Sequence, residues 1–314
     1  MSDGGPFHAG ERAVQRLAGV PARIEEIGKR MLRAAMPDQH RAFFAQLPFI
    51  VVGAAAADGR VQATLLAGAA PGFVRSTDAT HLAIDALPPA GDPLGGALQP
   101  GDAIGLLGIE LPTRRRNRAN GRVVARSAER FTVEVEQSFG NCPKYIQRRE
   151  LIAAPHGAAA SAARHRATLD TDAAALIARA DTFFIASRTP PDVTGGGYDV
   201  SHRGGRPGFV AVGDDGRSLS WPDYVGNALF NTLGNLALDS EAALVFVDFA
   251  SGDMLHVSGR ATIVWEGAAL AAAPGAERLL RLQVDRVLTR PAASPLRWQL
   301  LEMSPVLPDV ASRP

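Results

Sequence analysis

Ser201, His202 and Arg203 stand side by side ahead of a glycine pair in YDVSHRGGRPGF. A guanidinium holds a phosphate through two parallel hydrogen bonds. Ser201 and His202 can add hydrogen bonds to the same ligand. Further on, GNALFNTLGNLAL places Leu229, Phe230, Leu233 and Leu236 at helical spacing. That spacing predicts a helix beginning near Asn227, with Asn231, Thr232 and Asn235 on it. Mid-helix Asn and Thr are poor helix formers, so they ask for a reason. The free N–H groups of a helix start can donate to an anion. Arginine and helix start together suit a phosphorylated cofactor lying along a β-surface. The same residues also read as a helix with polar caps and a solvated face.

The elements that must position these groups are legible in outline. Two apolar runs, residues 208–213 and 218–221, flank Asp214-Asp215-Gly216-Arg217 and predict a β-hairpin. Residues 1–20 read as an irregular arm. Pro21 opens a helix with Ile24, Ile27, Met31 and Leu32 on one face. A short helical piece covers residues 40–46. Strands are expected at 47–54 and 61–66 around Asp58-Gly59, then at 71–74 and 81–85. Residues 86–100 are Pro/Gly-rich loop. A buried strand at 103–109 precedes a long hairpin over 121–125 and 131–135. The four arginines of Arg114-Arg115-Arg116-Asn117-Arg118 alternate faces, either as a solvated rim or as an anion-facing patch. Pro143 suits the first turn of a helix within 138–149, so Cys142, beside Lys144, would stand at a helix start that activates thiols. Residues 153–167 read as a partly helical linker and 170–181 as a helix. Strands follow at 182–187, 243–247, 254–264 and 279–288, and the tail is Pro-rich coil.

The two halves can be laid on one another. PFIVVG (48–53) matches TFFIAS (182–187), and PGFV occurs at both 71–74 and 207–210. AIGLLGIE (103–110) matches AALVFVDF (242–249), and Asn120-Gly121-Arg122 matches Ser258-Gly259-Arg260. Kept order and spacing point to duplicated domains rather than a solenoid. The copies differ where chemistry would matter. The second carries Asn227, Asn231, Thr232 and Asn235, whereas the first has GDPLGGALQPG. Its prolines lack N–H donors, and Asp92 repels phosphate. The second copy is therefore the expected ligand binder.

Composition narrows the classes. The chain has 314 residues with 46% apolar, room for two ordinary cores. Lys plus Arg is 33 against 32 for Asp plus Glu, so no general nucleic-acid-binding surface is expected. The single cysteine requires no oxidising compartment. No secretory signal and no apolar run of membrane length are read, so the expectation is a cytoplasmic protein with no membrane partner. There is no P-loop, no Cys-x-x-Cys or His-Glu-x-x-His metal spacing, and no Gly-x-Ser-x-Gly elbow. Gly195-Gly196-Gly197 does not sit between a strand and a helix, so it is no dinucleotide fingerprint.

The segments DVSHRGGRPGFV, SWPDYVGNALFNTLGNLALD and DFASGDMLHVSGRATI resemble the pyridoxamine 5′-phosphate oxidase-like, FMN-binding split-barrel family. FHAGERAVQ and SFGNCPKYIQRRE are similar to a two-part subgroup of it. The resemblance spans nearly the whole chain. It implies a mainly β fold with flanking helices: tandem Greek-key split barrels forming an internal pseudo-dimer. Residues 1–39 would be an arm and helix, 40–150 the degenerate barrel, 151–169 a linker and 170–314 the flavin-binding barrel with its tail. FMN is the implied cofactor, a small molecule or electron carrier the implied partner, and pairing into a homodimer is compatible with the family. Ser220 and Trp221 would lie along the ring edge, and Cys142, Lys144 and Tyr145 would close over the flavin from the first copy. With Ser201, His202, Arg203, Asn227, Asn231 and Thr232 they form the expected cofactor site. No metal ligand or catalytic acid or base is assigned. The alternatives are a flavin- or haem-binding sensor or carrier without turnover, and a deazaflavin-dependent reductase.

Overall fold

Residues 5–20, 22–152 and 162–308 are described by a computed structural model. Helices α1 (Ala9–Leu17), α2 (Arg23–Met31) and α3 (Asp38–Ala45) come first. Strands β1 (Phe49–Ala55), β2 (Val61–Ala67), β3 (Val74–Ser76), β4 (His81–Ile84), β5 (Ala103–Glu110), β6 (Arg115–Arg126), β7 (Phe131–Gly140) and β8 (Arg148–Ile152) follow. The second half holds β9 (Arg164–Arg166), α4 (Thr171–Arg179), β10 (Thr182–Arg188), β11 (Tyr198–Gly204), β12 (Ala211–Val212) and β13 (Ser218–Tyr224). It continues with α5 (Asn231–Leu238), β14 (Glu241–Val247), β15 (Met254–Val264), β16 (Ala276–Arg290) and β17 (Arg297–Glu302). The protein is mainly β. Among the described residues no helix is long and apolar enough to cross a membrane.

Strand order repeats between the halves. The first sheet runs β2-β1-β5-β6-β7-β4-β3 and the second β11-β10-β14-β15-β16-β13-β12, both antiparallel. Every strand of the first order is answered by the strand nine labels later. Register repeats too. Val52 faces Thr64 and Leu106, and Ile185 faces Ser201 and Leu244. Both long hairpins carry a register shift at the same place, between Asn120 and Gly121 and between Ser258 and Gly259. A β-bulge adds one residue and sharpens the local bend. Each bulge glycine lies against the opposite backbone: a Cβ would stand 1.9 Å from the Glu134 carbonyl at Gly121 and 1.9 Å from the Gln283 carbonyl at Gly259.

These registers correct two of the sequence matches by one residue. They pair Phe49 with Thr182, not with Phe183, and Ala103 with Glu241, not with Ala242. A one-residue slip exchanges the faces of a strand. Ile50 and Val52 belong to the first sheet's core, and Phe183 and Ile185 to the second's. Phe49 and Val51 instead join Phe184, Ala186 and Val245 in a third cluster between the two sheets. There Gly53 lets the sheets close, because a Cβ would stand 2.8 Å from that of Ala186.

Four expectations fail for local reasons. Within the expected irregular arm, Ala9–Leu17 form α1, with His8 and Glu11 as a reciprocal capping box. The helix expected from Asn227 starts at Asn231, because Ala228 (φ 58°) and Phe230 (φ 61°) are left-handed. No helix forms within 141–147, where Tyr145 has φ 68°. The tail is not all coil: β17 pairs with β8. Pro21 and residues 153–161 lie outside the described residues, and the rest of the expected linker carries β9, paired to β16.

Gly121→Ala and Gly259→Ala should each destabilise the chain by about 1–3 kcal/mol, because the added methyl meets backbone that no rotamer change can clear. Urea denaturation would measure this, and a loss under about 0.5 kcal/mol in either variant would show that the bulge relaxes freely.

Candidate functional site

A cleft between the halves gathers most of the expected polar residues. β11 brings Ser201, His202 and Arg203, and β6 of the other sheet brings Arg116 and Arg118. The loop after β7 covers one side with Cys142, Lys144 and Tyr145, and the segment entering α5 supplies Asn227, Asn231 and Thr232. Its free volume is about 100 Å³, below the several hundred typical of small-molecule sites, and it opens to solvent. A ligand larger than a phosphate therefore extends along the open groove.

Arg118 is the structural centre. It is 6% exposed, so its charge must be met inside the protein. Nε donates to the Val200 carbonyl at 2.8 Å and lies 3.2 Å from Asp199. Nη1 donates to Asn231 Oδ1 at 2.7 Å, and Nη2 donates to Ser201 Oγ. Thr232 donates to Ser201 Oγ at 2.6 Å. One first-half arginine thus fixes β11 and the first turn of α5. The loop after β7 is fixed as closely, because a Cβ on Gly204 would stand 2.0 Å from the Tyr145 carbonyl. Tyr145 Oη donates to the Val225 carbonyl at 3.0 Å, and burial, with Glu277 nearby, pushes the phenol up to about 12.

Cations outnumber acids. Arg116, Arg118, Lys144, Arg203 and Arg278 line the cleft against one carboxylate, Asp223. Asp223 accepts from Arg203 Nη1 at 2.6 Å and from Arg278 Nε at 3.0 Å, and Arg278 also reaches Glu277 at 2.5 Å. Arg116 and Lys144 have no carboxylate partner among the described residues. Burial, then the neighbouring Arg118 and Arg203, pushes Arg116 down to about 9. Its Nη1 donates to His202 Nδ1 at 3.2 Å, so His202 carries its proton on Nε2. Three buried nitrogens of this lining have no partner: Nε of Arg116, Nε of Arg203 and Nε2 of His202. An anion in the cleft would satisfy such donors.

All expected site residues but two line this cleft. Trp221 is 1% exposed and packs edge-on to Phe183 in the second core. Ser220 is only half-buried, and its backbone faces Ala211 across the hairpin. The reason is strand length: β13 runs on to Tyr224, so Pro222, Asp223 and Tyr224 reach the cleft instead. Cys142 also lines it, but no helix starts there. Sequence reading missed Arg278 and underrated Arg116 and Arg118. The arginine run was the available signal, since Arg116 and Arg118 line the cleft. Arg115 alone of the buried-or-exposed pair it forms with Arg116 points outward, over Phe43.

The groove at the equivalent place with exchanged halves is filled by apolar side chains, with Leu65 and Met254 in the cluster between the sheets and Leu66 in the first core. By register, Arg118 corresponds to His256, Arg116 to Met254, His202 to Leu65 and Arg203 to Leu66. His256 Nδ1 donates to the Ala63 carbonyl at 2.9 Å, where Arg118 uses Val200. Asp92 is buried there and accepts from Thr64 and from Arg290, each at 2.5 Å. The protein's own carboxylate thus engages the cation of that groove.

No family model matches the chain, and neither does any curated protein. Among solved structures, HupZ of Group A Streptococcus is 17% identical, covering 38% of this chain and 90% of its own, with a TM-score of 0.31. A Lactobacillus delbrueckii protein assigned as a pyridoxamine 5′-phosphate oxidase is 18% identical, covering 39% and 94%, with a TM-score of 0.31. MrkH of K. pneumonia, solved with c-di-GMP, is 9% identical, covering 81% and 87%, with a TM-score of 0.24. Overlaps this slight carry no argument about ligand, and the cleft must be read from its own geometry.

His202 gives a pH prediction. Burial, then Arg116, Arg149 and Arg203, holds its pKa well below 6.5. The unfolded chain takes up that proton near 6.5 while the folded one does not. Stability from this group is therefore intact above about 6.5 and is lost as pH falls below it, by up to about 1.4 kcal/mol per unit. His202→Asn should flatten the decline in unfolding free energy between pH 6.5 and 5. An unchanged slope would mean that His202 titrates in the folded protein as it does in the unfolded one.

Proposed function

We propose that this protein is a flavoprotein that binds one FMN in the Arg116–Arg203 cleft and acts as an oxidoreductase of the pyridoxamine 5′-phosphate oxidase-like type. The carrying observation is the charge count of the cleft. Arg118 has Asp199, while Arg203 and Arg278 share Asp223 and Glu277. Arg116 and Lys144 are left over, two positive charges for a phosphate carrying close to two negative ones. The unpartnered Nε groups of Arg116 and Arg203 supply donors in fork geometry. The first turn of α5, with no side-chain cap, supplies free N–H groups.

The fold in this reading is a tandem pair of split barrels, residues 40–150 and 170–314, forming an internal pseudo-dimer. The repeated strand order and the paired bulges support it. The isoalloxazine ring would lie along the open groove and supply hydride or electron transfer, and the protein would orient it. The partner is a small molecule or electron carrier in a cytoplasmic setting. Haem fits the cleft less well. With Arg116 donating to Nδ1, His202 Nε2 bears a proton and offers iron no lone pair.

Arg203→Ala should weaken FMN binding by about 10- to 100-fold, the range for a charge-assisted contact, and Arg115→Ala by less than about twofold. Quenching of flavin fluorescence measures both, and equal retention would remove Arg203 from the site.

Stoichiometry provides an independent check. Leu65, Leu66 and Met254 offer no donor to a phosphate, and Asp92 already engages Arg290. One FMN per chain is expected at saturation. Released flavin measured against protein by amino-acid analysis tests this, and a ratio near two would return the second groove to use.

A further inference from the structure

Helix α1 lines no part of the cleft, yet it grips the segment that does. Gly10 and Gly234 bring α1 and α5 into backbone contact: a Cβ on Gly10 would stand 2.1 Å from the Gly234 carbonyl, and one on Gly234 would stand 2.7 Å from Glu11 N. Through this crossing Glu11 reaches the foot of α5. Its Oε1 accepts from Asn231 Nδ2 at 2.6 Å, and its Oε2 accepts from the His8 backbone N–H at 3.0 Å. Asn231 passes the contact on, because its Oδ1 accepts from Arg118 Nη1 at 2.7 Å. Phe7 packs against Leu229 and Phe139 beside it.

We propose that Glu11 is a positioning residue of the anion cleft, holding Asn231 and through it Arg118 and the first turn of α5. An amide can rotate to exchange its oxygen and nitrogen. With Glu11 accepting on one side and Arg118 donating on the other, Asn231 has one satisfied orientation. The inference rests on the anion-cleft reading. A carboxyl only 4% exposed and lying near Asp199 is a costly group to retain for packing alone. Burial, opposed by the His8 and Asn231 hydrogen bonds, pushes Glu11 up to about 8.

The test compares FMN with riboflavin, which lacks the phosphate, in the full chain at pH 7. Glu11→Ala should lose about tenfold in FMN affinity and under about twofold in riboflavin affinity. Glu11→Gln keeps an oxygen for Asn231 and should recover most of the loss. Gly234→Ala, which removes no polar group but pushes Glu11 away, should repeat the selective loss. Glu26→Ala on the surface of α2 is the control. Inorganic phosphate, read by thermal shift, is the second probe. It should raise the melting temperature of the wild type more than that of Glu11→Ala. Should FMN fail to bind while phosphate still distinguishes the two, the cofactor reading falls and this inference stands. Equal losses for FMN and riboflavin, FMN affinity unchanged in Glu11→Ala, or no phosphate effect on the wild type would each overturn it.

Discussion

A guanidinium cannot be buried without acceptors on all sides, and the architecture around the cleft follows from meeting that demand at Arg118. Its acceptors come from β11, from the first turn of α5 and from Asp199, all in the half of the chain that does not contain it. Removing any of them would leave a charge unmet. The halves are therefore joined by more than apolar area. The cluster between the sheets sets how near they come, and Arg118 sets the register at which they meet. The same contacts leave the neighbouring Arg116 with a buried Nε unspent. Arg116 and Arg118 stand two residues apart and so share one face of β6, which is why both line the cleft.

Much of the fold could be read from local chemistry. The hairpins at Asp58-Gly59 and Asp214–Arg217 follow from turn residues between apolar runs, and both formed. What escaped was set by contacts far apart in sequence. Helix α1 hid because its buried face is Gly10, Glu11, Val14 and Gln15, mostly polar or featureless, so its apolar period is weak. The left-handed Ala228 and Phe230 carry no sequence signal, since such φ values are expected of Gly or Asn. Pro143 suited a helix start, but the turn at Tyr145 and the close fit to Gly204 impose an extended cover instead.

The site was partly legible for a related reason. Residues clustered in sequence, such as Ser201–Arg203, were found because one strand end carries them. Arg278 comes from the start of β16, far along the chain, and reaches the cleft beside Asp223, a tertiary fact. Trp221 was placed on the ring edge by the family resemblance, whereas β13 carries it into the second core against Phe183. Trp221 and Asp223 share one face of β13, so position along the strand decides which fills the core and which reaches the cleft.

The two grooves illustrate what one chain can do that two identical chains cannot. In a symmetric homodimer every substitution appears in both interfacial grooves. Here Leu65 and Leu66 stand where the other groove has His202 and Arg203, and Met254 stands where it has Arg116. Each change costs nothing in backbone register, since the strand pairing and bulges are kept. A cation stranded in the altered groove would still need an anion, and Asp92 provides one to Arg290 from within the chain. That groove is electrically closed, while Arg116 and Lys144 leave the other open. The difference between them lies in whether the protein fills the groove and supplies its own counter-charge, and only the open one leaves unpartnered donors.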